Sequence, residues 1–213
     1  MGTINAVLVG VTMWLAAGAP DGVRWIFEDS PVDKVPEGWS VAKTGDGPGS
    51  VWKVMEDESA PRGTHVLAQV SSEGPGSLFN LCVCDEANYA AVDLTVSFKA
   101  VKGEIDQGGG PVWRYKDENN YYIARMNPLE DNFRVYKVEG GRRKQLDSAS
   151  VEASAGQWHS IRIKHKGDHI RCYLNGKLLL DVHDSTFVEA GSVGLWTKAD
   201  AVTSFDDFSY RGN

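Results

Sequence analysis

The feature that most constrains the fold is a set of short segments in which apolar and polar residues alternate with a period of two. Val92–Ala100 alternates without a fault, and Ser160–Lys164 and Ile170–Leu174 do the same. Asn175-Gly176 is a strong hairpin signal, because both central residues of a type I′ turn need a positive φ. Gly140-Gly141 predicts another hairpin after Val138. No segment beyond the N-terminal stretch has a convincing helical period. Turn signals about every 8–12 residues predict an all-β protein, either an antiparallel sandwich or an antiparallel barrel.

Length and charge narrow the class of protein further. The chain has 213 residues, a net charge of −7 and a pI near 5.2. That length suits one globular domain with a sizeable core, and we assign this domain to residues 20–213. An acidic chain is a poor partner for nucleic acid or for an anionic membrane surface, because like charges repel. We therefore predict neither partner.

The N-terminal stretch has the pattern of a secretory signal peptide. Ile4–Ala17 is nearly all apolar and uncharged, and Ala17-Gly18-Ala19 is a small-x-small cleavage pattern. No Lys or Arg precedes the apolar run, so the alternative is a hydrophobic first strand or a frame artefact. The run is too short to span a membrane. We predict that residues 1–19 are removed and that the mature protein is secreted or periplasmic.

The segment Gly108–Val138 contains three strand-like runs with one arginine in each. Alternating with the arginines are residues suited to a core, namely Trp113, Tyr122, Ala124, Met126, Phe133 and Val135. If these point inward, one outer face carries Arg114, Arg125, Arg134, Tyr121, Tyr136 and Asn127. Like charges on neighbouring strands repel, so we expect a carboxylate partner or a ligand at this face.

This outer face has two interpretations. As a sugar-binding surface, it offers guanidinium forks for hydroxyl, carboxylate or sulfate groups, and aromatic rings for stacking. In the second interpretation the outer face is a solvated sheet face, and its arginines are paired with Glu130, Asp131 or Asp200. Further along, Lys198 and Asp200 are predicted to be exposed and functional, whereas Trp196 is assigned to the core. We predict that the outer face binds carbohydrate together with Lys198 and Asp200.

Several segments along the chain carry a resemblance to a known family: Asp106-Gln107 through Arg114-Tyr115, Asp117–Asn127, Leu129–Lys137, Gln157-Trp158-His159, Tyr173–Lys177, Gly194–Asp200 and Phe205–Phe208. With them the chain resembles bacterial secreted domains of the concanavalin A-like lectin/glucanase fold, close to laminin-G-like modules, and in particular the 3-keto-disaccharide hydrolase domain family. The resemblance covers essentially all of residues 22–211. It implies an all-β, two-sheet antiparallel β-sandwich of the jelly-roll type, with one sheet concave and ligands met on the concave face or its rim. We therefore predict the sandwich rather than the barrel.

Glu104-Ile105-Asp106 resembles the start of the catalytic Glu-x-Asp-x-x-Glu strand of family 16 glycoside hydrolases, which share this fold. A retaining glycosidase needs a nucleophile and a separate acid/base carboxylate flanking one glycosidic bond. The third acid is absent here, and the flanking glycines indicate a loop, so we leave the catalytic residues unassigned. A glycoside hydrolase acting on a (3-keto-)disaccharide or a polysaccharide stays an alternative. Its available acids are Asp106, Glu130, Asp131 and Asp200.

The two chain ends and the cysteines suggest further sites. The resemblance implies that the terminal strands pair, which brings Glu28 or Asp29 close to Asp207, and folds of this class often hold a structural Ca²⁺. We therefore predict a calcium site at Glu28 and Asp207. Cys82 and Cys84 lie two residues apart on one strand face, so they cannot bridge each other without distortion. In an exported protein, one bridge from either of them to Cys172 is the disulfide to test.

Three functions are open at this point. The first is a lectin-like carbohydrate-binding domain, which accounts for the clustered arginines and the missing catalytic acid. The second is the glycoside hydrolase. The third is a structural or adhesion module of the cell envelope, which predicts that every arginine of the outer face is paired within the protein. The positions of these arginines relative to a concavity discriminate among the three.

Overall fold

The computed structural model describes residues 22–212, and every regular element within that range is a β-strand. The predicted signal peptide lies outside the described residues, and residues 22–212 contain no helix able to cross a membrane. In chain order the strands are β1 Val23–Trp25, β2 Trp39–Thr44, β3 Trp52–Glu56, β4 His65–Gln69, β5 Phe79–Tyr89, β6 Val92–Lys102, β7 Gly109–Asp117, β8 Asn120–Asn127, β9 Asn132–Glu139, β10 Arg142–Ser150, β11 His159–Lys166, β12 His169–Leu174, β13 Lys177–His183, β14 Gly191–Lys198 and β15 Val202–Gly212.

The strands form two antiparallel sheets that pack face to face, so the predicted β-sandwich is confirmed. The eight-stranded sheet has the order β13-β12-β11-β6-β15-β4-β3, with β1 paired to β15. The seven-stranded sheet has the order β10-β9-β8-β7-β14-β5-β2. The terminal strands β1 and β15 pair as the resemblance implies, with Trp25 opposite Phe208.

The period-two alternation of the sequence corresponds to an inward and an outward side on each strand. From Val92 to Ala100 the residues of β6 are alternately buried and half-buried. The inward residues of both sheets form the main core, which includes Phe98, Trp113 and Phe133. Removing a side chain of this kind from water stabilises the fold by about 1.5–3 kcal/mol.

Two glycine-containing turns set the register of the hairpins, as predicted. Asn175 and Gly176 have φ values of 49° and 79° and join β12 to β13. Gly140 and Gly141 have φ values of 56° and 77° and join β9 to β10. Positive φ at both central residues is the requirement of a type I′ turn, and such a turn leaves the paired strands in a defined register.

All three cysteines lie within the described residues as buried, unbridged thiols. Cys82 and Cys84 both face the main core, as their spacing predicts, and Cys172 faces it from the opposite sheet. The disulfide considered from the sequence is therefore not formed. Burial also raises the pKa of the Cys84 thiol, which keeps it protonated and unreactive.

The seven-stranded sheet is strongly curled. Strands β10 and β5 are separated by five intervals in the order β10-β9-β8-β7-β14-β5, which is about 24 Å in a flat sheet. The guanidinium of Arg143 on β10 nevertheless lies 5.2 Å from the ring centre of Phe79 on β5. In the same way, the hydroxyls of Thr44 on β2 and Tyr121 on β8 are 2.7 Å apart. The outer face of this sheet is therefore concave, in agreement with the resemblance.

A second apolar cluster fills the inside of this curl. Its members come from five neighbouring strands and are all at most 7% exposed: Phe79, Leu81, Val83, Val112, Tyr121, Ile123, Tyr136, Val138 and Trp196. The concave face thus has an apolar, aromatic floor, and its polar residues stand at the margins of that floor. Trp196 is buried as expected, but it belongs to this second cluster and not to the core between the sheets.

A buried histidine in the main core makes the stability of the fold depend on pH. The indole Nε1–H of Trp113 donates to Nδ1 of His165 at 2.9 Å, so this nitrogen must be unprotonated. Burial, together with the positive charge of Arg114, lowers the pKa of His165 from 6.5 to about 3. The folded state therefore holds the neutral imidazole. The stability that this contributes is present above pH 6.5 and is lost as the pH falls from 6.5 towards 3.

We expect the free energy of unfolding to decrease by about 2 kcal/mol between pH 6.5 and pH 5 through His165 alone. Urea unfolding of the wild type and of His165→Gln at these two pH values isolates this contribution. The glutamine keeps an acceptor for Trp113 but does not titrate. The prediction is wrong if both proteins lose the same amount of stability over this range.

Candidate functional site

The register of β7 to β9 decides which side chains reach the concave face. The predicted inward set is confirmed, because Trp113, Tyr122, Ala124, Met126, Phe133 and Val135 all belong to the core between the sheets. On the opposite side, Arg125 of β8 stands directly across from Arg134 of β9. Two of the three predicted arginines are therefore neighbours on the concave face.

Arg114 does not join them, and its predicted position is wrong. The β7–β8 pairing is irregular after Trp113, and Arg114 has a φ of 46°, so the backbone bulges and the alternation is broken. The buried guanidinium donates to the carbonyls of Ala90 and Gly167, each at 2.8 Å, and to the carbonyl of Phe187. Arg114 thereby connects three segments of the chain and is structural.

The third arginine of the concave face is Arg143, which the sequence reasoning missed. It lies opposite Val138 in the β9–β10 hairpin and so shares the side of Val138. The signal was available: a two-residue turn at Gly140-Gly141 fixes this pairing, and extending it by two residues reaches Arg143. We call the surface formed by Arg125, Arg134 and Arg143 the arginine face.

Arg143 lies in an aromatic setting without a carboxylate. Its guanidinium carbon is 4.4 Å from the ring centre of Tyr136, 5.2 Å from that of Phe79 and 5.7 Å from that of Trp196. It forms no salt bridge with any described acid, and its buried Nη1 has no hydrogen-bond partner among residues 22–212. Burial lowers the pKa of Arg143. A guanidinium held on rings with an unused donor is suited to a ligand.

Arg125 is buried in a polar network around Glu130. Its Nη1 donates to the amide oxygen of Asn132 at 2.7 Å, and its Nη2 donates to Glu130 at 2.8 Å and to the hydroxyl of Tyr136 at 3.2 Å. The residue is 1% exposed, and its Nε has no partner within residues 22–212. A Cβ atom on Gly108 would lie 3.5 Å from this Nε, so the nitrogen faces the Gly108 backbone and is shielded from solvent.

Glu130 relieves the repulsion between the two facing arginines. Its carboxylate accepts from Arg125 and also from Arg134, at 3.1 Å. Burial opposes its ionisation, but hydrogen bonds from Asn132 and Arg125 outweigh this and hold the pKa of Glu130 below its usual range. The expected carboxylate partner is thus present for Arg125 and Arg134, whereas Arg143 lacks one.

A buried ion pair closes one margin of the arginine face. Asp106 is fully buried, and one of its oxygens lies 2.9 Å from the amino group of Lys198. Its other oxygen accepts from the backbone N–H of Gly108 at 2.7 Å and from the side chain of Asn127 at 3.1 Å. Asn127 and Lys198, both predicted site residues, therefore meet here at Asp106.

Two predicted binding residues have structural roles instead. The carboxylate of Asp200 accepts from the backbone N–H groups of Glu104, Ile105 and Asp106, so it holds this loop in place and is largely buried. Its pKa is lowered, because these hydrogen bonds outweigh the effect of burial. Tyr121 is fully buried within the second apolar cluster, and its hydroxyl is bonded to Thr44. Neither side chain is presented to a ligand.

Three consecutive glycines bring Asp106 and Arg125 together. A Cβ atom on Gly108 would lie 2.8 Å from the Asp106 carboxylate and 2.9 Å from Cδ of Arg125. A Cβ on Gly109 would lie 2.8 Å from Thr203, and one on Gly110 would overlap the carbonyl oxygen of Ala124. The glycines are therefore required by close packing on both sides of the strand.

The short motif at Glu104-Ile105-Asp106 does not form a glycosidase pair. These residues lie in the loop between β6 and β7, as expected, with Glu104 exposed and Asp106 fully buried. The carboxylate of Asp106 is engaged by Lys198 and Asn127. Two acids flanking one glycosidic bond need to face the same cleft, and this arrangement does not provide that.

The residues predicted to bind calcium do not fit that ion. Asp207 pairs with Arg24 at 2.8 Å and faces Arg62 at 3.8 Å, and Glu28 accepts from the backbone N–H groups of Thr64 and His65. Within residues 22–212, neither acid belongs to a group of three candidate ligands that share a small volume. Donors and positive charges thus occupy these carboxylates, so the calcium prediction at Glu28 and Asp207 is not supported.

Fold and site together define a concanavalin A-like β-sandwich with a polar, arginine-lined concave face. The chain belongs to the 3-keto-alpha-glucoside-1,2-lyase-like domain family, whose model matches residues 27–211. Over 80 residues it is 29% identical to the levanase of Bacillus subtilis, a match that covers 38% of this chain and 12% of the length of the levanase.

Two solved structures illustrate the fold. The carbohydrate-binding module CBM66 of Bacillus subtilis has a TM-score of 0.65 at 18% identity, covering 82% of this chain and 96% of the module. The GH43 protein BlXynB of Bacillus licheniformis has a TM-score of 0.54 at 18% identity, covering 85% of this chain and 40% of that protein. At these identities the likeness concerns the fold alone.

Proposed function

We propose that this domain binds carbohydrate on the arginine face, with Arg143 as the main contact and the buried Arg125 as its support from below. The observation that carries this proposal is the guanidinium of Arg143, which stands among three aromatic rings without a carboxylate partner within residues 22–212. A structural module would have all its arginines paired internally, whereas here Arg125 and Arg134 are paired with Glu130 and Arg143 is not. The names of CBM66 and of the levanase support a sugar ligand.

The chemistry of the face suits a polyhydroxylated ligand. A guanidinium presents several N–H donors in one plane, which matches neighbouring hydroxyls or a carboxylate on a sugar ring. Arg143 and Arg125 lie 4.4 and 5.8 Å from the same Tyr136 ring, so the two guanidinium groups are neighbours, and Arg143 is the less buried of the two. Lys198, Glu130 and the partly exposed Arg134 stand at the margin and offer further polar contacts.

We expect Arg143→Ala to lower the affinity for a bound oligosaccharide by about 10- to 100-fold, because it removes charged hydrogen-bond donors. Isothermal titration calorimetry against neutral and acidic oligosaccharides, including levan fragments, measures this. Arg142→Ala is the matched control. Arg142 immediately precedes Arg143 on β10, is exposed, and points to the side of the strand opposite to the arginine face. Equal affinities of Arg143→Ala and the wild type, or no binding to any saccharide, would refute the proposal.

The second candidate is the reaction named in the family description, an elimination on a 3-keto-glucoside. Such a reaction removes the proton on C2, breaks the C1–O bond and forms a C1=C2 double bond, while the leaving sugar takes up a proton. It needs a base and a positive charge to stabilise the enolate formed from the ketone. The partly exposed carboxylate of Glu130 lies beside Arg125 and Arg134, so both kinds of group are present at one margin of the face.

This second candidate is tested with a 3-keto-disaccharide and its unoxidised counterpart. Release of a monosaccharide together with an ultraviolet-absorbing enone, from the keto substrate only, supports elimination. Release of two saturated sugars indicates hydrolysis instead. Saccharide binding with no product from either substrate would support the binding function and exclude catalysis on these substrates.

Export of the domain, predicted from residues 1–19, stays a proposal. It is tested by determining in which cellular fraction the processed chain is found.

A further inference from the structure

A group of two histidines and one aspartate stands apart from the arginine face. It lies on the eight-stranded sheet, at the open end of the β12–β13 hairpin. His169 is directly opposite His183 across this pair of strands, and Asp181 precedes His183 by two residues. The imidazole rings are stacked, with centres 4.5 Å apart and planes 6° apart, and Nε2 of His169 lies 2.6 Å from a carboxylate oxygen of Asp181.

We propose that His169, Asp181 and His183 form a binding site for a divalent transition metal, Zn²⁺ in the first place. One ligand atom from each residue lies within 4.8 Å of the others. Two imidazole nitrogens and one carboxylate oxygen are a set that Zn²⁺ accepts, with water in the fourth position. Bonds of about 2.0–2.1 Å in tetrahedral geometry place ligand atoms about 3.3 Å apart. The side chains are 37%, 50% and 63% exposed, so they can rotate into that spacing.

A fourth residue holds one of the imidazoles in a suitable tautomer. Nδ1 of His183 lies 3.2 Å from a carboxylate oxygen of Asp168. A proton on Nδ1 directed to this carboxylate leaves the lone pair of Nε2 available for the metal. A carboxylate behind a ligating histidine both orients the ring and raises its basicity. This second contact is the reason to distinguish the group from an ordinary surface His–Asp pair.

The site lies in a position where a metal would restrain the fold. His169 and Asp181–His183 belong to neighbouring strands at the outer edge of the eight-stranded sheet. The backbone N–H of Asp184 donates to the carbonyl of Asp168 at 2.9 Å, directly beyond the histidine pair. A metal would therefore link the end of the edge strand β13 to its neighbour β12. The arginine face contains no histidine, so this proposal does not depend on the proposed function.

The test uses the full chain without a histidine tag, dialysed first against a chelator. Calorimetry with Zn²⁺ should show one bound ion per chain, and His169→Ala or His183→Ala should lower the affinity about tenfold or more. Asp168→Asn should lower it to a smaller extent. His65→Gln is the control, because His65 lies on β4 away from the site. The three cysteines are buried thiols in the folded chain and do not compete.

A spectroscopic measurement separates a specific site from weak surface binding. Cu²⁺ binds such ligands more tightly than Zn²⁺, and its electron paramagnetic resonance spectrum reports the number of coordinated nitrogens. We expect two imidazole nitrogens in the wild type and one in His183→Ala. No uptake of Zn²⁺ by the wild type, or unchanged affinity and nitrogen count in the double variant of His169 and His183, would overturn the proposal. The variants of His169, His183 and Asp168 concern side chains that are at least 37% exposed, so the fold is retained.

Discussion

Replacing Arg125 with alanine is expected to lower the free energy of unfolding by about 3 kcal/mol. The guanidinium is 1% exposed and donates to Asn132, Glu130 and Tyr136. Its removal leaves the buried amide oxygen of Asn132 without a partner and takes a positive charge away from Glu130. Removing one partner of a buried hydrogen bond costs more than the bond contributes, because the Asn132 amide is buried and cannot reach water. Urea unfolding at neutral pH measures the change.

Arg134→Ala is the matched control for this effect. Arg134 contacts the same Glu130 carboxylate, but its side chain is 31% exposed. Water can replace it, so we expect a loss below about 1 kcal/mol. Equal losses for Arg125→Ala and Arg134→Ala would contradict the burial argument. The same two variants, assayed well below their melting temperatures, show whether Arg125 also contributes to saccharide affinity.

Gly110→Ala is expected to cost about 3 kcal/mol and to weaken saccharide binding in the same protein. The added methyl group would overlap the carbonyl oxygen of Ala124 and crowd the Cα of Arg125, both on the paired strand β8. Backbone atoms cannot rotate away as a side chain can, so β7 and β8 must separate locally. That separation displaces Arg125, and through it the contacts of Glu130. Chemical unfolding and calorimetry on the same sample test both effects.

Gly76→Ala provides the comparison for this second variant. Gly76 also lacks a positive φ, and a Cβ there would meet only Ile105, at an ordinary contact distance of 3.7 Å. We expect a change within about 0.5 kcal/mol and an unaltered affinity. If Gly110→Ala behaved like Gly76→Ala, close packing of β7 on β8 could not be the reason for the glycine.

The arginine face depends on the elements that support it from behind, namely the loop before β7 and the close pairing of β7 with β8. Asp200 holds the loop that ends at Asp106, and the glycines that follow let β7 approach β8 closely. Asp106 and Arg125 thereby lie next to each other, although they are 19 residues apart in the sequence and no local pattern predicts their proximity. Changes in the support therefore affect binding as well as stability.

The strand pattern and most of the inward residues could be predicted because side chains on a strand alternate with a period of two. The main core residues of β7 to β9 were assigned correctly on this rule alone. The rule failed at Arg114, because a bulge adds a residue to β7 there. After such a residue, the side chains of the strand point to the side opposite to the one that strict alternation predicts. A bulge leaves no clear mark in the alternation of Val112 to Tyr115, so this outcome needed coordinates.

The site was predicted in part for a similar reason. Arg125, Arg134, Tyr136 and Asn127 share the face that the alternation indicates, and their role in binding is a proposal. Arg143 could have been added from the hairpin register, whereas the burial of Tyr121 could not, because it follows from the curl of the whole sheet. The roles of Asp200 and Asp106 arise from contacts between loops distant in sequence.

The sequence by itself determined an all-β fold, the inward side of most strands and the hairpin turns at Asn175-Gly176 and Gly140-Gly141. Each of these depends on residues that are adjacent or two apart, and local sterics and burial decide them. Only the tertiary structure decided which arginines meet. The curl of the seven-stranded sheet brings Arg143 of β10 over Phe79 of β5, across strands that are neighbours neither in sequence nor in pairing. Such an approach depends on the summed twist and packing of every strand between them.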